Sequence, residues 1–154
     1  MKRILFTMML IMTVGFIYGQ TTYYWVGGTV GATGINTGAN WNTALNGTGT
    51  SRPASTGTSD ILIFDGTNLG GASPATGPAT VLAYGSISFA QMIFTNNVNV
   101  NLVRPTSSTS TVTVNGESGE DFVVEAGSTF RVLNSTGSIR FAMLAAVDAC
   151  RVSG

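Results

Sequence analysis

From residue 79 onward the chain is a succession of short runs in which apolar and polar residues alternate. Val98-Asn99-Val100-Asn101-Leu102 alternates without a fault, and Thr111-Val112-Thr113-Val114, Thr129-Phe130-Arg131-Val132 and Ser138-Ile139-Arg140-Phe141 do the same. A period of two places successive side chains on opposite faces of extended backbone, so each run predicts a half-buried strand. Asn115-Gly116, Gly119, Ala126-Gly127 and Thr136-Gly137 separate the runs with turn residues. No window before the last dozen residues repeats with helical spacing. The fold class is therefore all-β.

Two arrangements fit these runs. Strands separated by roughly 8–12 residues suit a β-sandwich or barrel. The same spacing suits a solenoid in which each strand forms one side of a coil. Aligning Ile87/Phe89 with Val112/Val114 and then with Ile139/Phe141 gives steps of 25 and 27 residues, and Val98 to Val124 is a step of 26. These steps lie in the range of repeat architectures, roughly 20–50 residues. No two-residue hairpin loop joins matched strands, as a meander would require. The expectation is a right-handed parallel β-solenoid (β-helix) over residues 79–141, with a β-sandwich as the alternative. Ala142 to Ala149 favours helix by composition. Residues 142–154 are thus expected as a short helical or disordered tail. Terminal coils need covering, and the abrupt change of character points to a truncation point rather than a cap.

The N-terminal half reads differently. Lys2 and Arg3 precede an uncharged, mostly apolar run from Ile4 to Tyr18, and Gly19 precedes Gln20. That pattern predicts a signal peptide over residues 1–19 and hence a secreted or cell-surface location. The run is short for a membrane span, which needs about 20 apolar residues, so no stable span is expected after cleavage. Residues 20–78 form an aromatic and glycine-rich segment expected to cap the solenoid. It runs from Tyr23-Tyr24-Trp25-Val26-Gly27-Gly28 through a long loop, Thr29 to Thr58, that Trp41 should pin down. Asn46-Gly47 marks a turn, Asp60 to Phe64 a strand closed by Asp65-Gly66, and Thr67 to Pro78 a second loose stretch.

Residue types that are missing narrow the chemistry. With the signal removed, five arginines face seven acids, a net charge of −2. Such sparse charge offers no footprint for nucleic acid or an anionic membrane. The sequence has no histidine, which removes Ser–His and Cys–His nucleophile pairs and the commonest metal ligand. Lys2 is the only lysine, so neither Schiff-base chemistry nor a lysine–asparagine cross-link is available beyond it. Cys150 is the only cysteine and cannot close an intramolecular disulfide. No enzyme activity, cofactor or metal is expected.

Tyr23 to Gly28, Asn40-Trp41 and Asp60 to Asp65 together resemble the start of large secreted or surface proteins of Bacteroidetes-type bacteria. Val123 to Val132 resembles the strand–turn–strand unit of autotransporter-like and adhesin-like β-helices. The resemblance covers most of Tyr23 to Phe141 and carries no catalytic residues. It implies an adhesin-like β-helical region at the cell surface, with an extracellular glycan or a surface protein as partner. The tandem repeats and C-terminal anchoring domain usual in such proteins have no counterpart in this sequence.

Candidate ligand contacts follow from the aromatics. Tyr24, Trp25 and Trp41 could stack on a sugar, although large aromatics more often plug a core. Asp60 and Asp65, five residues apart on a strand, fall on opposite faces, so a turn-capping role for Asp65 is favoured over paired-carboxylate catalysis. The acidic run Asn115 to Asp121 lacks calcium-loop spacing and reads as a solvated turn. Thr109, Thr111 and Thr113 share a strand face but make only one row. The function expected is that of a non-enzymatic structural or adhesin-like module. A carbohydrate-binding module, or the N-terminal piece of a β-helical polysaccharide-degrading enzyme, stands as the alternative.

Overall fold

A computed structural model describes residues 19–28, 34–53, 58–69, 77–116, 119–133, 136–144 and 148–153. The expected signal peptide lies outside the described residues apart from Gly19. The described chain is all-β, with a single 3₁₀ turn at Gly38–Asn40. Its strands are β1 Thr22–Trp25, β2 Trp41–Asn42, β3 Ile61–Asp65, β4 Ala79–Leu82, β5 Ile87–Phe89, β6 Gln91–Thr95, β7 Asn99–Val103, β8 Thr109–Val114, β9 Gly119–Val124, β10 Thr129–Val132, β11 Ser138–Met143 and β12 Asp148–Val152.

From β3 onward each strand pairs with the strand three places further along the chain, and always in parallel. The three sheets run β2-β1-β3-β6-β9-β12, β4-β7-β10 and β5-β8-β11. In the first sheet Leu62 lies beside Met92, Met92 beside Phe122 and Phe122 beside Cys150. Parallel neighbours cannot be joined by tight turns, and here the other two sheets supply the connection. Only β1 and β2 pair antiparallel among the strands. The hairpin ladders on which an antiparallel sandwich is built are otherwise missing from the described strands.

The alternation read from sequence sets which side chains face inward. Leu62 and Phe64 of β3, Met92 and Phe94 of β6, Val100 and Leu102 of β7, and Val112 and Val114 of β8 are all buried in one core. Phe64 and Phe94, paired in register, stack with centroids 5.1 Å apart and planes 3° from parallel. The aromatic column continues to Phe122 and Phe130, whose centroids lie 5.6 and 4.7 Å from Phe94. The column crosses from β3 to β6 and β9 and on to β10 of the second sheet, so the rings tie neighbouring strands and two sheets together as well as filling the interior.

Three expectations are corrected. Residues 142–143 complete β11 and residues 148–152 form β12, so no helix forms among the described residues of the expected tail. Backbone pairing with β8 and β9 outweighs the modest helix propensity of alanine and methionine. The 27-residue step from Val112/Val114 to Ile139/Phe141 is also off. Phe141 lies beside Val112 and Met143 beside Val114, a step of 29. A two-residue slip preserves which face each side chain occupies, so alternation alone cannot detect it. Finally, Val98 and Val124 do not correspond. β7 pairs with β4 and β10, whereas β9 pairs with β6 and β12.

Corners are built from polar residues with defined bonds. At the end of β3, the Thr67 amide and hydroxyl both donate to Asp65 Oδ1, at 2.8 and 2.6 Å, and Asn96 Nδ2 donates to Oδ2 at 2.9 Å. Asp65 therefore caps its turn, as expected, and links it to the turn that follows the neighbouring strand β6. Burial pushes the Asp65 carboxyl up. The bonds from Thr67 and Asn96 outweigh that effect and leave it below the usual carboxylate range. A carboxylate with a depressed folded pKa adds stability above its unfolded value, about 3.9, and that contribution fades as pH falls through the folded value. Asp65→Asn should therefore lower the urea midpoint at pH 6, and the gap to the parent should narrow as pH falls below the unfolded value. A gap that is constant with pH would show that the charge plays no part.

The next residue is constrained by the turn after β6. A Cβ at Gly66 would run into the carbonyl oxygen of Asn96, and this is backbone that cannot rotate aside. Gly66→Ala is expected to destabilise by about 1–3 kcal/mol, as overpacking does. Thermal unfolding of this variant beside Gly28→Ala, where a Cβ meets open space but φ is +84°, separates collision from backbone strain.

Candidate functional site

The three aromatic candidates are placed by β1 and β2. Alternation along β1 turns Tyr23 and Trp25 inward and leaves Tyr24 half-buried on the outer face. Trp25 and Trp41 are both fully buried at 0% exposure. Their rings meet edge-on at 5.1 Å, and both pack on Phe64, at 5.3 and 5.1 Å. Each indole N–H is satisfied internally: Trp25 Nε1 donates to the Gly28 carbonyl at 3.0 Å and Trp41 Nε1 to the Ile35 carbonyl at 2.7 Å. Neither ring offers a face to a ligand. They close the N-terminal end of the core, and Trp41 anchors its loop as expected. Tyr24 alone of the three reaches the outer surface, between Asn42 and Ile63.

The remainder of the N-terminal segment closes the edges of the sheets. β2 covers the edge of β1 and is itself bridged by Ser51. Gly34 bridges β4 at Leu82, and the Ile35 amide donates to the Leu82 carbonyl at 2.7 Å. On the third sheet Arg52 Nη2 donates to the Ser88 carbonyl at 3.0 Å. Arg52 is held by Asp60, Nε to Oδ2 at 2.7 Å, and both residues are buried. Burial, and then the nearby Asp60 carboxylate, push the Tyr23 phenol above its ordinary value. Asp60 is thus a structural ion-pair partner. It does not act with Asp65, which is occupied at the opposite end of β3.

The C-terminal end is built differently. β10, β11 and β12 are the last strands of their sheets, and no described residue pairs with their outer edges. Val114, Phe122, Phe130, Phe141, Met143 and Cys150 line an apolar cleft of about 310 Å³ at this end. Val132 is 47% exposed, Met143 42% and Val152 69%, although their partners on the neighbouring strands, Leu102, Val114 and Val124, are buried. Large apolar side chains in contiguous exposure mark an interaction surface. Sequence reading missed this cleft because its residues alternate like those of the covered coils. The visible signal was the run of apolar positions carried through to the last strand.

The remaining candidates take structural places. Asp121 is buried at 1% exposure, so it does not belong to a solvated turn; Glu120 is exposed and pairs with Arg151. Glu117 lies outside the described residues. Thr111 and Thr113 are half-buried and Thr109 exposed on the outer face of β8, flanked on β11 by Ser138, Arg140 and Ala142. No threonine array extends across the coils. Among the described residues no group of three or more acidic, histidine or cysteine side chains converges as a metal site would. Among them, too, no helix is long and apolar enough to cross a membrane. Comparisons with protein-family models, curated proteins and solved structures found no match to this chain.

Proposed function

We propose that the chain is an exported, non-enzymatic β-solenoid module that serves a structural or adhesin-like role at the cell surface. The observation that carries this reading is the unbroken three-strand pairing rule from β3 to β12, with one end closed by the aromatic segment. Each circuit of three strands advances the chain by one strand spacing, about 4.8 Å. Such a stack extends in one direction and presents long flat outer faces, the geometry of a stalk or binding scaffold. Parallel crossovers strongly favour the right hand, which supports a right-handed coil. The lack of histidine, and of lysine beyond Lys2, supports a role without catalysis. Burial of Trp25 and Trp41 weighs against a stacked-sugar platform built on them.

Export and surface display are tested together in intact cells producing the full chain. Mass spectrometry should find a mature N-terminus at Gln20, and external protease should digest the protein without lysis. A full-length chain that retains Met1 and is protected until the cells are broken would overturn the reading. A glycan array should show no binding that depends on Trp25 or Trp41.

A further inference from the structure

Between a turn of the long N-terminal loop and the turn after β3 lies an open cleft of about 500 Å³, lined by Leu45, Asn46, Thr67 and Asn68. Small-molecule sites have volumes of about 300–1,000 Å³. Three of the four side chains are neutral and polar, and no charged residue lines the cleft. Asp65, two residues before Thr67, has both carboxylate oxygens occupied by Thr67 and Asn96. Both walls are held by bonds of the protein's own. On the loop side Asn42 Nδ2 donates to the Gly49 carbonyl at 3.1 Å, the Thr43 amide to the Thr50 carbonyl at 3.0 Å and the Gly47 amide to the Ala44 carbonyl at 2.9 Å. Asn46 Oδ1 accepts from the Thr48 amide and hydroxyl, at 3.2 and 2.8 Å, which fixes the plane of its carboxamide. On the other side Asn68 Nδ2 donates to the Trp25 carbonyl at 2.9 Å. These bonds occupy one half of each amide. Among the described residues no group bonds to Asn46 Nδ2 or to Asn68 Oδ1, so one wall keeps a donor and the other an acceptor.

We propose that this cleft binds a neutral sugar residue, with one hydroxyl accepting from Asn46 Nδ2, a second donating to Asn68 Oδ1, and the C–H face of the ring against half-buried Leu45. A hydroxyl both donates and accepts, so one class of ligand meets both groups. An anion would find no cation in the lining, and a cation no carboxylate. An apolar ligand would strip water from three polar side chains without replacing the lost bonds. Amides already held in place lose little freedom on binding. The cleft is open and has no aromatic platform, so a dissociation constant of roughly 1–10 mM is expected. Trp25 contributes from beneath, through the carbonyl that orients Asn68. The site stands on the geometry of two turns and is independent of the export and surface display proposed above.

Nuclear magnetic resonance on the full, isotope-labelled chain tests the proposal. The probes are the methyl glycosides of glucose, galactose, mannose, xylose and N-acetylglucosamine, each added to about 50 mM, enough to fill a millimolar site. At least one should shift the side-chain amide signals of Asn46 and Asn68 and the backbone amides of Leu45 and Thr67, and leave Tyr24 unmoved. A blocked trialanine peptide at the same concentration should leave all of them in place. Asn46→Asp keeps the oxygen that accepts from Thr48 and removes only the Nδ2 donor, at an exposed position. This variant should retain the parent's circular dichroism and bind the sugar at least about tenfold more weakly. No shift with any of the five glycosides, shifts confined to other surfaces, or undiminished affinity in Asn46→Asp would each overturn the site. Equal binding of the peptide would overturn the ligand class. A chain that binds sugar but is retained inside cells would contradict the display reading alone, and a displayed chain that binds none would contradict the cleft alone.

Discussion

Phe94→Ala is expected to destabilise the protein by about 3–5 kcal/mol, the range for removing a buried aromatic ring. Phe94 is fully buried and touches three other rings: Phe64 on β3, Phe122 on β9, and Phe130 on β10 of the second sheet. Truncation removes the transfer free energy of the ring, leaves a cavity and breaks ring pairs worth about 0.5–1.5 kcal/mol each beyond burial. A domain of this size has roughly 5–15 kcal/mol in total, so a large part of the reserve would go. Phe94→Leu should recover more than half, because shape matters less here than volume. Urea unfolding followed by far-ultraviolet circular dichroism measures both variants. A loss under about 1 kcal/mol for Phe94→Ala would mean that the aromatic column does not hold the coils together.

Asp60→Ala is expected to be comparably damaging, for an electrostatic reason. Removing one partner of a buried ion pair leaves a charge without compensation and costs about 3–5 kcal/mol. Arg52 is 3% exposed, and the carboxylate of Asp60 is its charge partner. Arg52 also bonds the Ser88 carbonyl on β5. The damage should therefore reach from the capping segment to the first edge of the third sheet. Replacing both partners, as in Arg52→Met with Asp60→Leu, should restore much of the loss, since hydrophobic residues of similar volume often match a buried pair. The comparison is a double-substitution cycle on unfolding free energy. If Asp60→Ala and the double variant are equally unstable, packing rather than the unpaired charge is responsible.

Strand identity was legible wherever one face is buried and the other is polar. Thr129–Val132 is β10 as read, and Val98–Leu102 overlaps β7 with a shift of one residue. The step of 25 from Ile87/Phe89 to Val112/Val114 is the observed register. Register between more distant strands was not legible, because corners of unequal length change the step, from 21 residues between β4 and β7 to 30 between β7 and β10, while each strand keeps its own alternation. β12 was hidden for another reason. The helix-favouring composition of Ala142 to Ala149 runs into its start, and only pairing with β9 makes the segment a strand. Asn99 and Asn101 show the limit of alternation in the opposite direction. They occupy the polar positions of β7 yet are buried at 4% and 7% exposure.

The capping role of the aromatics was foreseeable from their size, and the structure assigns it to Trp25 and Trp41 through their internal bonds. The cleft at the last strands was not, since exposure of an inward-facing residue depends on whether a further strand pairs beside it, and that is a property of the sheets, not of any local run.

The central claim is that strands three apart in sequence lie side by side in parallel. Cysteine pairs test it most directly, in a Cys150→Ser background. Ile63→Cys with Ile93→Cys, and Ile93→Cys with Val123→Cys, join neighbours in the first sheet and should form disulfides under mild oxidation. Ile93→Cys with Asn101→Cys joins consecutive strands β6 and β7, which belong to different sheets, and should not. Cross-linking of the consecutive pair with none of the thirty-residue pairs would contradict the account and restore a hairpin-built sandwich.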